Sequence, residues 1–185
     1  LKKTRQWWPA IGCIICYLAV VAWCVCGSTS TTGGRLVYPL DDTYIHMAMA
    51  RNFSNDGVWG FTHYAFSSST SSPFYTALIA SGYLILGQNE LLPLALNVFF
   101  GVLYVLLLFR MFRGKAPPLA IFVLLLVTAF AVSVPALTMI GMEHLLHALL
   151  TLVFVCLGAD ALARRTGTPA SSRSLLVVAA LLPLV

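Results

Sequence analysis

The chain has 185 residues, 59% of them hydrophobic and 9% charged, with a formal net charge of +5. A water-soluble domain carries about 25% charged residues, so one small soluble core is excluded. The basic residues stand in short clusters beside apolar blocks, a pattern that orients membrane helices and is not the mark of a nucleic-acid surface.

Those blocks approach or exceed the roughly 18 residues that mark a membrane span. Backbone amides in lipid must be satisfied internally, so the blocks are predicted as helices and the chain as an all-α polytopic membrane protein. The first block covers residues 9–26. Lys2, Lys3 and Arg5 precede it and place the amino terminus in the cytoplasm, with Trp7 and Trp8 where an aromatic belt belongs. A cleaved signal peptide is the rival reading. The block is long for such a peptide, and Trp23 just ahead of Cys24 spoils a lipoprotein-type cleavage site. Cys13 and Cys16 form a Cys-x-x-Cys inside the block, where thiolates are inaccessible, and they are read as small apolar fillers.

Residues 27–72 form a polar loop, rich in Ser, Thr, Gly and Asn, that holds three of the six acidic residues. With the amino terminus inside, this loop lies outside. After the Asp41-Asp42 pair, Ile45, Ala48, Met49 and Phe53 recur at helical spacing. That predicts a short amphipathic helix resting these residues on the membrane surface. Asn55-Asp56-Gly57 is its stop, with Gly57 able to take a left-handed position. The serine-rich residues 67–72 are open to two readings, a flexible linker or hydroxyls lining a sugar site.

Residues 73–110 allow two short spans broken at Gly87-Gln88-Asn89-Glu90, or an interfacial helix over 73–86 followed by one span over 91–109. Arg110, Arg113 and Lys115 belong in the cytoplasm, and a single crossing puts them there. A third span rises over 118–135, and Gly141, Met142 and Glu143 then emerge outside. A fourth descends over 145–161, with Arg164, Arg165 and Arg173 marking the cytoplasm again. A fifth begins at Ser174 and is cut at Val185. The chain opens on Leu1 and stops within an apolar run, so it is expected to be the amino-terminal piece of a longer protein. This layout brings Asp41, Asp42 and Glu143 to one side of the membrane.

The Asp pair has two readings. An Asp at the helix start caps free amides and suits the positive end of the dipole. Two adjacent carboxylates at a membrane surface also suit acid–base work on an attacking hydroxyl. Glu143 and His147 share a helix face at i, i+4. Without a third strong ligand they predict no metal site, and His144 and His147 are placed at the interface or in hydrogen bonds between helices.

Asp41, Asp42, Tyr44, Ile45, Arg51 and Asn52 are followed by Gly57-Val58-Trp59-Gly60-Phe61, Ser69-Thr70-Ser71-Ser72-Pro73-Phe74-Tyr75 and Gly141-Met142-Glu143. The order of these parts resembles the amino-terminal module of the GT-C-fold membrane glycosyltransferases, arabinofuranosyltransferase-like and mannosyltransferase-like proteins among them. Ser-Ser-Pro-Phe departs from the usual Ser-Pro-Leu turn, and Glu143 stands where many relatives use Asp. The resemblance implies an integral membrane glycosyltransferase of the cell membrane. It would move a sugar from a polyprenyl-phosphate donor to a cell-envelope glycan, lipid or protein acceptor on the outer face. It makes Asp41 the catalytic base and Asp42 its support. Glu143, Arg51, Tyr44, His46, Ser71 and Ser72 become the donor- and acceptor-binding set. Arg51 lies two to three helical turns beyond Asp41, at about 3.6 residues per turn, which is far for one small sugar. No resident cofactor is implied; an acidic pair can hold a divalent cation, as in some relatives, but none is expected. The partners implied are the lipid-linked donor, the acceptor and membrane lipids, with no nucleic acid. The alternative is a non-enzymatic membrane component, a transporter segment or an assembly scaffold. Ionisable residues and broken helices at mid-membrane would favour transport, and the spans carry almost none of the former.

Overall fold

The computed structural model describes residues 6–163 and 169–185. The basic residues Lys2, Lys3, Arg5, Arg164 and Arg165 lie outside the described residues, as does the side chain of Arg173. Among the described residues eight α-helices follow one another: α1 (Trp8–Thr31), α2 (Asp42–Asp56), α3 (Pro73–Leu86), α4 (Leu92–Phe112), α5 (Pro118–Ala131), α6 (Val134–Ile140), α7 (His144–Ala163) and α8 (Pro169–Leu181). A short 3₁₀ turn, Leu182–Leu184, closes the chain, and no strand occurs among the described residues. Among the described residues three helices are long and apolar enough to cross a membrane, α1, α4 and the His144–Leu162 part of α7; α5 and α6 make a fourth if the bent pair counts as one.

The chain divides into two compact units, one of residues up to Pro39 with Leu94–Gly141, the other of Leu40–Pro93 with Met142–Val185. In the first, α1 opens with Pro9, whose missing N–H costs nothing at a helix start. Ala10, Cys13, Tyr17 and Val21 recur at three and four residues and form its buried seam, while Ile11, Ile15 and Leu18 stay exposed. Exposed apolar side chains on a helix of this length suit lipid rather than water. Cys13 is buried in the seam.

Tyr17 and Thr138 are fully buried, with their hydroxyls 2.8 Å apart. Thr138 gives its proton to the Val134 carbonyl at 2.9 Å, so Tyr17 is the donor between them. Gly101 on α4 makes room for the Tyr17 ring; any Cβ there would strike its hydroxyl. Near the start of α1, Trp7 packs on Phe109 and the Arg113 guanidinium lies 5.2 Å from the Trp7 ring centre.

The stretch expected as one span over 118–135 is two helices, bent by 41°, and the second runs on to Ile140. Pro135 explains the break. It offers no N–H to the Ala131 carbonyl four residues back and its ring crowds that group, so α5 ends at Ala131. Ser133 turns the chain with a left-handed φ of 58°.

In the second unit α3 packs along α2, and α7, α8 and the terminal 3₁₀ turn pack together. Fourteen residues of α3 reach about 21 Å at 1.5 Å per residue. That is short of the roughly 30 Å hydrocarbon core.

Candidate functional site: the polar face of the second unit

Asp41 is the N-cap of α2. Its carbonyl accepts from the Tyr44 and Ile45 amides at 2.9 and 3.2 Å, but its carboxylate makes no capping bond. Both Asp41 and Asp42 are exposed. The side chain of Asp41 is therefore not spent on holding the helix. At the far end Gly57 takes φ 69° and donates to the Phe53 carbonyl at 3.1 Å, the left-handed stop that Asn55-Asp56-Gly57 signals.

The packed face of α2 mixes polar and apolar residues. Thr43, His46, Met49 and Ala50 are buried, whereas Ile45 and Ala48 are half-buried and Phe53 is exposed, edge-on to Trp59. The reason is a polar core between α2 and α3. Ser72 caps α3 by accepting from the Tyr75 amide at 3.3 Å, and Thr76 donates back to the Ser72 carbonyl at 3.0 Å. The hydroxyls of Thr76 and Thr70 lie 2.8 and 3.0 Å from Nδ1 of His46 and 2.8 Å from each other. The imidazole stands edge-on to the ring of Tyr75.

Its other nitrogen faces Glu143. Nε2 of His46 and Oε2 of Glu143 are 3.2 Å apart, at ion-pair distance though off the line of a hydrogen bond. Ser71 donates to Oε1 of Glu143 at 3.1 Å. The Glu143 carbonyl accepts from the His147 amide, so its carboxylate sits at the amino end of α7, where the helix dipole favours negative charge. Burial pushes the Glu143 carboxyl up, but His46, its own backbone amide and Ser71 together outweigh that and hold it below its ordinary value. His144 and His147 are exposed. No group of three His, Cys, Asp or Glu with metal-site geometry occurs among the described residues.

Tyr44 and Arg51 belong to a different face of α2. With Met47 and Ala48 they line an open cavity of about 490 Å³, walled opposite by Phe61, by Tyr83 of α3 and by Gln88, Asn89 and Glu90 of the turn that follows. Burial pushes the Tyr83 phenol up to about 12, with Arg51 pulling it down and Glu90 raising it. Gln88 donates to Asn55 at 2.9 Å and ties that turn to the end of α2. Asn52 donates to the carbonyls of Gly60 and Phe61, both at 2.9 Å, and so fixes the loop that carries Phe61.

The sequence-derived residues thus fall into three places. Glu143, His46 and Ser71 meet in the buried network, and Ser72 lies beside it. Tyr44 and Arg51 line the cavity, which neither Glu143 nor His46 reaches. Asp41 and Asp42 stand exposed at the start of α2. Sequence reading missed Thr70 and Thr76 as partners of His46, and missed the Phe61, Tyr83 and Gln88–Glu90 wall. Asn52 had been marked only as part of a pattern. No protein-family model, curated protein or solved structure matches the chain.

Proposed function

We propose that this protein is an integral membrane glycosyltransferase, taking a sugar from a polyprenyl-phosphate donor and passing it to a glycan, lipid or protein acceptor on the outer face. The supporting observation is that Glu143, from the segment between α6 and α7, is held by His46 of α2 and Ser71 of the serine-rich turn. Two segments expected on the outer face therefore belong to one folded unit. The Asp pair stands at the head of the helix that this network fixes. In this reading Asp41 takes the proton of the acceptor hydroxyl while that oxygen bonds to the anomeric carbon and the bond from that carbon to the phosphate oxygen breaks. General-base action of this kind contributes about 10²–10⁴ in rate. Asp42 supports Asp41. Glu143 acts as a positioning residue: it is buried, and it reaches the reaction through His46 and the placement of α2.

One observation favours the transport alternative, the bend at Ser133, since broken helices frame ion and substrate sites in transporters. Neither α5 nor α6 carries an ionisable side chain, so the break has no ion pathway of its own. Transfer activity of Asp41→Asn against its thermal stability separates the enzyme from a scaffold or transporter.

A further inference from the structure

The cavity on α2 is unused by the chemistry assigned to Asp41, and its composition is specific. Tyr44, Ala48 and Arg51 follow at three and four residues, so they form one stripe along the helix. Asp41, three residues before Tyr44, heads the same stripe, whereas Asp42 falls about 100° round the helix at 3.6 residues per turn. From Asp41 to Arg51 is ten residues, about 15 Å along the axis at 1.5 Å per residue. A volume of about 490 Å³ lies in the range of small-molecule sites, about 300–1,000 Å³.

Three ligand chemistries can be weighed against the walls. A hydrocarbon chain would strip water from Arg51, Glu90, Gln88 and Asn89 without giving hydrogen bonds back, which is costly. A compact anion would meet Arg51 but also the Glu90 carboxylate. A neutral sugar chain suits every wall. Its hydroxyls donate to Glu90 and accept from Arg51 and the amide side chains, and its C–H faces lie on the rings of Tyr44, Phe61 and Tyr83. Tyr44 and Phe61 are 40% and 51% exposed. The length of the stripe also exceeds one sugar ring, which the sequence spacing alone had left as an obstacle to Arg51.

We infer that this cavity binds a neutral oligosaccharide, the growing end of a glycan acceptor, laid along α2 with its reacting hydroxyl at the Asp41 end. The binding of an oligosaccharide stands on the cavity itself; only its role as acceptor rests on the transferase reading. Arg51 is then a specificity residue for sugar units behind the reacting one, and Asn52 holds Phe61 in place as the opposite wall.

The test is saturation-transfer NMR on the full-length protein in lipid nanodiscs, with a panel of neutral pentose and hexose trisaccharides and with glucose 1-phosphate as a compact anion. At least one trisaccharide should receive saturation, most strongly at its ring C–H protons. Arg51→Gln and Tyr44→Ala, both at exposed positions, should each weaken binding by about tenfold or more. Ala48→Phe should fill the cavity and abolish binding while the unfolding midpoint stays near that of the parent. The inference is overturned if no trisaccharide receives saturation, if binding survives all three variants, or if only glucose 1-phosphate binds. Asp41→Asn separates the two claims: it should lose transfer yet still bind the trisaccharide. Transfer retained by Asp41→Asn, with binding lost in the cavity variants, would sink the catalytic reading and leave the binding site standing.

Discussion

His46 and Glu143 face each other 3.2 Å apart in a buried setting, one on α2 and the other at the start of α7. Each is held on its far side by hydroxyls, His46 by Thr70 and Thr76 and Glu143 by Ser71. A buried pair so enclosed fixes geometry more than it adds stability, because desolvation offsets most of the attraction. Losing one partner is another matter.

Glu143→Gln keeps the shape of the side chain but removes its charge. Thermal unfolding in detergent should show a loss of about 1–3 kcal/mol, the cost of leaving a buried polar partner unmatched. His46→Gln should cost a similar amount. The double variant should cost clearly less than the sum, with a coupling of about 0.5–3 kcal/mol. Strict additivity would mean that the two residues do not act on each other.

The same pair sets a pH dependence. Glu143 is held below its ordinary value of 4.5 in the folded protein, so the folded state binds its proton more weakly than the unfolded one. Its contribution is therefore fully present above that ordinary value and is lost as pH falls through the lowered native value. Unfolding midpoints of the parent should drop in acid below pH 4.5 more steeply than those of Glu143→Gln. Parallel curves would contradict the assignment.

Much of the fold can be read from the sequence because long apolar blocks and Gly or Pro punctuation report local physics. The end of α2 at Gly57 is such a case. Other features depend on partners far along the chain. The apolar residues Ile45, Ala48, Met49 and Phe53 mark the face of α2 expected on the membrane surface, yet Met49 is buried along with Thr43 and His46, and the hydroxyl partners of His46, Thr70 and Thr76, sit on another segment. Likewise α1 runs to Thr31, past the expected end at residue 26. The hydroxyls of Thr29, Ser30 and Thr31 bond back to carbonyls one turn earlier, so these polar side chains are satisfied within the helix itself. The bend at Ser133 was legible in Pro135, but Pro near a predicted helix end looked like a terminus and not a break. At the site, the sequence named Glu143, His46 and Ser71 without revealing that they touch. It gave no sign of the cavity, whose walls come from four separate stretches.

Gly101→Ala should disturb the first unit. A methyl group there strikes the Tyr17 hydroxyl and pushes it from Thr138. The expected cost is about 1–3 kcal/mol by thermal unfolding, typical of overpacking. Tyr17→Phe in the Gly101→Ala background should recover part of it by removing the hydroxyl. No change in either variant would show that the close approach is relieved by a shift of α4.

The charge clusters predict an orientation with the amino terminus inside. In a background without native cysteines, His63→Cys should react with an impermeant maleimide from outside intact cells. Arg113→Cys should react only after permeabilisation. The reverse pattern would invert the topology and move the Asp pair to the cytoplasm.

The central claim is that Asp41 does chemistry at the outer face. Its carboxylate makes no capping bond, so Asp41→Asn should leave the unfolding midpoint within about 0.5 kcal/mol of the parent, as for an ordinary surface substitution. The decisive measurement is sugar transfer from a polyprenyl-phosphate donor by purified full-length Asp41→Asn, set beside the parent and Asp42→Asn. A fall on the order of 10²–10⁴ with stability unchanged is expected for Asp41→Asn, and a milder fall for Asp42→Asn. Transfer by Asp41→Asn at the rate of the parent would contradict the account.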